Sequence, residues 1–325
     1  MLPLGKLPAD LLARLLAQAH TAQPDPRVVV GPGVGLDCAV LDFGDRYLVL
    51  KTDPITFATD EIGWYAVQIN ANDIACSGAA PAFFMATVLL PEAAGNGQLA
   101  ERIFAQITSA CANLGVTLVG GHTEITHGID RPMVMGAMLG EVAKERLVTA
   151  AGAELGDTVL LTKGYPIEAV AILAREFGAA RPFDTAFLQR SRDFLYRPGI
   201  SVVKDARTAL AAGKVTAMHD PTEGGVATGL WELAEAAGHG IEADLSALTP
   251  LPEGEALCRA FGLDSLGCIA SGALLLTTPE PEKIQAALEA EGIPALKVGR
   301  VTAGRGVNLA RPDRDEIARL FDAKS

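Results

Sequence analysis

Apolar residues at Val226, Leu230, Leu233, Ala234 and Ala237 follow the rhythm i, i+4, i+7, i+8, i+11, which is one buried face of a helix. This helix is predicted to start near Thr222, just after His219-Asp220-Pro221 and around the pair Gly224-Gly225. Ile62, Ala66, Ile69, Asp73 and Cys76 share a face in a second helix over 60–78, and Leu99, Ile103, Ile107 and Ala110 share one in a third over 99–114. The apolar runs 38–43 and 47–52, joined by Phe43-Gly44-Asp45-Arg46, predict an antiparallel hairpin. Further strands are predicted over 82–90, 116–119, 133–142, 158–161, 241–245, 267–277 and 296–301. Further helices are predicted over 167–177, 184–196, 200–212, 253–261, 281–291 and a charged tail 310–325. Helices and strands in this mixed order, with hairpins, predict an α+β fold rather than a doubly wound sheet. The small residues Thr149-Ala150-Ala151-Gly152 mark a joint between domains 1–150 and 151–325.

Composition narrows the partners. A net charge of −12, with no basic run, repels a phosphate backbone, so nucleic acid is not expected as a partner. Five cysteines without a C-x-x-C pair read as reduced thiols of a cytoplasmic protein. Asp10 and Arg14 interrupt Leu11, Leu12, Leu15 and Leu16, which makes the N-terminus an amphipathic helix and not a signal peptide. No apolar run approaches the roughly 18 residues of a membrane span.

Candidate chemistry gathers at element ends. The entry of the Thr222 helix leaves backbone N–H groups beside His219, Asp220 and Glu223, a place for phosphate or its metal. The same residues equally suit a plain helix cap with glycines for close packing. Asp73 lies on a stripe that should be apolar, and burying a carboxylate requires a cation or donors. Asn72 stands beside it. The strand predicted to end at Val119 leads into Gly120-Gly121-His122-Thr123-Glu124, where paired glycines let the backbone approach a ligand. Asp37, Asp53, Asp73, Glu124 and Asp220 all stand where separate elements can converge. Two carboxylates about 5 Å apart repel by roughly 3 kcal/mol at an effective dielectric near 20, so such a group needs cations. Oxygen ligands favour Mg²⁺ shared with substrate phosphates, and ATP is the natural candidate. Neither a G-x-x-x-x-G-K-[ST] loop, a G-x-G-x-x-G turn nor a G-x-S-x-G elbow is present.

In order along the chain, Gly35-Leu36-Asp37-Cys38-Ala39-Val40, Thr52-Asp53-Pro54, the run from Asn72 to Ala79, Gly120-Gly121-His122-Thr123-Glu124 and the run from His219 to Val226 resemble the motifs of the aminoimidazole ribonucleotide (AIR) synthase superfamily, which is PurM-like in fold. They are most similar to its hydrogenase-maturation branch, HypE. The resemblance covers about residues 28–305. It implies an N-terminal α/β domain whose strands form a homodimer, a C-terminal α+β domain, and bound ATP and Mg²⁺. It further implies Asp37, Asp53, Asp73 and Glu124 as metal and phosphate ligands, Gly120 and Gly121 as nucleotide contacts and Asp220 as facing the site; Lys51, Asn72 and Thr123 are further candidate nucleotide contacts, and His219 and His122 join Asp220 as candidate catalytic groups. Either histidine could assist proton transfer, or serve only as a structural hydrogen-bonding residue.

The implied reaction is ATP-dependent phosphorylation and dehydration of an amide or carbamoyl-type substrate, with hydrogenase-maturation proteins as partners. Two departures stand out. The sequence closes Asp322-Ala323-Lys324-Ser325 without the branch's terminal cysteine, and Leu36 replaces an acid that many relatives carry. Alternatives are a non-catalytic nucleotide-binding dimer acting through protein partners, or another superfamily activity such as thiamine-monophosphate kinase.

Overall fold

The structure, a computed structural model, describes residues 7, 9–18, 25–33, 36–55, 58, 60–92 and 95–322. Gly35 of the first motif and the last three residues of the tail lie outside the described residues. The chain divides into two compact units, one from Asp25–Gly31 and Asp37–Leu147, the other from Val148 onward together with the N-terminal helix α1 (Ala9–Gln18).

The first unit runs β1 (Val28–Val30), β2 (Ala39–Asp42), β3 (Arg46–Ile55), α2 (Ile62–Cys76), β4 (Ala80–Pro91), α3 (Asn96–Leu114), β5 (Thr117–Thr126) and β6 (Met133–Ala143). Its strands form one sheet in the order β1-β2-β3-β6-β4-β5, antiparallel except for the β4/β5 pair that α3 connects. The hairpin β2–β3 forms as its turn residues predict, with Gly44 at φ +96° in the tight turn. α2 packs on β3, β6 and β4 with α3 beside it against β4 and β5, and almost every α2 side chain is buried. The face predicted for α2 therefore does not divide a wet side from a dry one. α2 is a core helix that carries Gln68, Asn70, Asn72 and Asp73 into the interior.

Two strands extend past their predicted ends. β3 continues through Asp53-Pro54-Ile55, where Pro54 is tolerated because β2 pairs with β3 only as far as Leu50. β5 continues through Gly120-Gly121 to Thr126, because β4 supplies a ladder for all of it. The glycines lie inside this edge strand and not at its end. A Cβ on Gly121 would lie 2.0 Å from the Ala86 carbonyl oxygen of β4.

The second unit runs β7 (Thr158–Thr162), α4 (Ile167–Ile172), α5 (Thr185–Arg192), α6 (Val203–Ala212), β8 (Ala217–His219), α7 (Gly225–Ala237), β9 (Gly240–Ala243), α8 (Pro252–Phe261), β10 (Leu275–Thr278), α9 (Pro281–Ala290), β11 (Ala295–Thr302), β12 (Gly306–Val307) and α10 (Ala318–Asp322). The sheet order is β12-β9-β11-β7-β10-β8. Val226, Leu230, Leu233 and Ala234 of α7 enter a core with Val159, Leu161, Leu275, Val298 and Val301, which is the face their spacing predicts. The predicted strand 267–277 shrinks to β10, since Ser265–Gly267 is a single helical turn. The charged tail is helical only over α10 among the described residues.

Candidate functional site

Alternation along β3 puts Lys51 and Asp53 on the face that α2 covers, between buried Val49 and Ile55. Asp73 comes down onto the same place from α2. The Lys51 ammonium lies 3.2 Å from Asp53 Oδ2 and 3.2 Å from Asp73 Oδ2. Burial by itself would lower the pKa of Lys51. The charges of Asp73, Asp53, Asp37 and Cys38 overcome that and hold it well above the ordinary lysine range. Asp37, just before β2, adds to the negative field on Lys51, while Asn72 is fully buried in α2 beside Asp73.

Asn70, which sequence reasoning passed over in favour of Asn72, fixes this corner. Its Oδ1 accepts the Asp53 N–H at 2.9 Å, and its Nδ2 donates to Asp53 O at 3.3 Å and to Ala66 O at 2.8 Å. One side-chain amide therefore takes both backbone groups of Asp53 on the edge that β2 has left. Gly136 of β6, paired with Asp53, makes room: a Cβ there would lie 2.4 Å from Asn70 Nδ2. Proximity of Asn70 to Asp73 at i, i+3 was the available signal in the sequence.

Glu124 does not join this group. In register, Asp53 pairs with Gly136, Gly136 with Ala86 and Ala86 with Gly121, so β5 lies three strands away, about 14 Å at the usual spacing of ~4.8 Å. Gly121 and Thr123 pair with buried Ala86 and Val88 and so share the helix-covered face of the sheet, whereas Gly120, His122 and Glu124 point to the opposite face. There His122 Nε2 and Glu124 Oε2 form an exposed pair at 3.0 Å. Of the four acids expected together, the structure brings Asp53 and Asp73 to one point, at the Lys51 ammonium. Among the described residues no three acids, histidines or cysteines are gathered as a ready metal cage, and a lysine stands between Asp53 and Asp73.

The helix entry in the second unit also departs from expectation. Gly224 and Gly225 adopt φ +79° and +64°, but the Gly224 N–H donates to Asp315 Oδ2 at 2.7 Å and the Gly225 N–H to Thr222 O at 3.0 Å. A carboxylate of the chain itself occupies the position imagined for phosphate. The Gly225 conformation serves packing, since a Cβ there would meet the Leu266 and Cys268 carbonyl oxygens at 2.3 and 2.5 Å.

Burial raises Asp315 to about 7 in spite of the Gly224 and Ile317 N–H groups that favour its charge. Burial raises Glu168 of α4 to about 8, with the charges of Asp315 and Glu223 adding to the effect. His219, at the end of β8, is buried with Nε2 3.0 Å from Glu232 Oε2 of α7, and Asp220 beside it is buried as well. Glu232 has no motif to announce it. It is visible only once β8 and α7 pack side by side. Cys258 and Cys268 are buried, with sulfurs 3.7 Å apart.

Comparison with known proteins places these residues in context. The model of the AIR synthase related protein N-terminal domain matches residues 35–142, and that of the C-terminal domain matches residues 154–311. The carbamoyl dehydratase HypE of Rhodobacter capsulatus is 30% identical over 80% of this chain and 74% of its own. Hydrogenase maturation protein HypE solved in complex with ATP is 24% identical, with a TM-score of 0.66 over 89% of this chain and 81% of that one. The HypE–HypF complex aligns at a TM-score of 0.70 and 21% identity over 84% of this chain and 93% of that one. Thiamine monophosphate kinase from Aquifex aeolicus aligns at 0.70 and 20% identity over 93% and 96%. At these identities the structural likenesses establish a shared two-domain fold.

Proposed function

Because the chain belongs to the AIR synthase related protein family, we propose that it is an ATP-dependent, Mg²⁺-assisted enzyme that phosphorylates an amide- or carbamoyl-type oxygen, which then leaves as phosphate. The observation that carries this reading is the convergence of Asp53 and Asp73 on one cation position.

The donor set fits a hard ion. Carboxylate oxygens from Asp37, Asp53 and Asp73 would hold Mg²⁺, and Lys51 supplies a positive contact for phosphate oxygens. Bound Mg²⁺ and ATP would supply charge neutralisation and the transferable phosphoryl group. Asn70 keeps the Asp53 backbone in place, so its carboxylate does not have to be ordered when ligand arrives. Gly121 and Thr123 share the helix-covered face and remain the nucleotide-contact candidates of β5. Glu232 holds the His219 imidazole in a fixed orientation beside Asp220, as a proton-transfer group requires.

A homodimer belongs to this reading. β5 is an edge strand exposed on both faces, with Val119 at 52% and Ile125 at 56% exposure, and Phe83 and Met85 of β4 are exposed beside it. Such an edge pairs with another strand or is covered. The HypE–HypF complex favours a maturation protein as a further partner. Free thiols at all five cysteines suit a cytoplasmic setting. No helix among the described residues is long and apolar enough to cross a membrane.

The test is calorimetric titration with ATP, with and without Mg²⁺, of the unaltered chain and of Asp73→Asn, beside a phosphate-release assay. Mg²⁺-dependent binding that Asp73→Asn loses, with release stimulated by a carbamoyl compound, is the expected result. Transfer to thiamine monophosphate instead would assign the kinase activity. Absence of ATP binding under every condition would refute the site.

A further inference from the structure

We infer that Lys51 holds the cation position between Asp53 and Asp73 while nucleotide is absent, and gives it up to the divalent cation when nucleotide binds. The inference rests on the site proposed above and concerns how that site is kept closed to metal alone.

Three observations lead to it. The ammonium is equally close, at 3.2 Å, to one oxygen of Asp53 and one of Asp73, which is the gap a bridging ion would use. A Mg²⁺ ion needs carboxylate oxygens at about 2.0–2.1 Å and demands near-octahedral geometry, so it cannot share that gap with an ammonium. The two acids stand on anchored backbone and on short side chains, whereas the lysine charge stands at the end of a long one. Asp53 is tied through its backbone to Asn70, and Asp73 sits on a helix buried along nearly its whole length. Lys51 reaches the gap on a flexible four-carbon stem from a strand edge that β2 has already left.

Coupling follows from charge. Metal alone would have to expel the ammonium without offering it another anion. Nucleotide phosphates offer that anion and supply further oxygens to the cation. Metal and nucleotide therefore each raise the affinity of the other, as linkage requires.

Mn²⁺, counted by its electron spin resonance, is the probe for Mg²⁺ in nucleotide-free protein. Lys51→Met should bind one Mn²⁺ at least about tenfold more tightly than the unaltered chain, equivalent to about 1.4 kcal/mol. Lys51→Arg, which keeps the charge, should exclude it. Lys51→Met with Asp73→Asn should lose the gain. Equal Mn²⁺ affinity in the unaltered chain and Lys51→Met overturns the exchange.

Should Lys51→Met fail to fold, the side-chain ¹⁵N resonance of Lys51 in the unaltered chain decides. It should stay in place on Mg²⁺ alone and move when Mg²⁺ and ATP are added together, and a move on Mg²⁺ alone overturns the exchange. If MgATP binds while either test goes against Lys51, only the exchange falls. If MgATP never binds, the site itself falls with it.

Discussion

Replacing Asn70 is the sharpest probe of how the first unit holds its acids. The side chain is fully buried and makes hydrogen bonds of 2.8, 2.9 and 3.3 Å, two of them to the backbone N–H and C=O of Asp53. Asn70→Leu keeps the volume but orphans both of those groups. A buried backbone group left without a partner costs about 1–3 kcal/mol. Asp53 is about one-third exposed, so water recovers part of this, and a net loss of about 2–3 kcal/mol is expected at that position. At about 1.4 kcal/mol per tenfold, that corresponds to roughly a 30- to 100-fold loss of protection. The assay is amide hydrogen exchange read at Asp53 itself. Asn70→Ala should show the same loss with an added cavity effect. Unchanged exchange at Asp53 in both variants would refute the claim that this amide stands in for a missing strand.

Three further outcomes are expected. Gly225→Ala forces a Cβ to 2.3 Å from a backbone oxygen at φ +64° and should destabilise by more than about 2 kcal/mol. Gly238→Ala, at φ +69° with nothing within 4 Å, should lose only the left-handed penalty of about 1–2 kcal/mol; equal losses in denaturant midpoints would refute the packing role. Glu168 at about 8 and Asp315 at about 7, against ordinary values of 4.5 and 3.8, bind protons more tightly folded than unfolded. Their contribution is therefore complete below the ordinary carboxylate range and is lost as pH rises toward about 8, at up to about 1.4 kcal/mol per pH unit for each group. Glu168→Gln should flatten the fall of melting temperature between about pH 5 and pH 8, and an equally steep fall in that variant would sink the assignment. Ile125→Lys, on the exposed edge of β5, should convert a dimer to monomer by light scattering, while a dimer that persists would place the interface elsewhere.

The sequence made some of this legible and hid the rest for physical reasons. The buried face of α7 and the β2–β3 hairpin are local: spacing and turn residues decide them, and the structure agrees. Asp73 was conspicuous because a charge on an apolar stripe is conspicuous, and it is indeed buried against a cation. Asn70 was hidden because its role depends on where β2 stops, which only the sheet register shows. Asp315 lies 91 residues from the Gly224 N–H it accepts, and no spacing rule connects them.

Glu124 shows how one misplaced boundary propagates. With Gly120-Gly121 taken as the end of a strand, the residues that follow become a loop, and a loop can bring Glu124 to any acid nearby. Once β5 is seen to run through the glycines, strand parity fixes the matter. Thr123 must share the face of Gly121, and Glu124 must point the other way, paired with His122. The same parity brings Lys51 to Asp53, two residues apart on β3, and so places a cation where acids alone had been expected. Asp53 and Asp73 around one lysine still leave a net negative charge, but a smaller one than converging acids with no cation between them would carry. The lysine lets Asp53 and Asp73 sit side by side in the folded chain, and under the proposed exchange the nucleotide decides which cation stands between them.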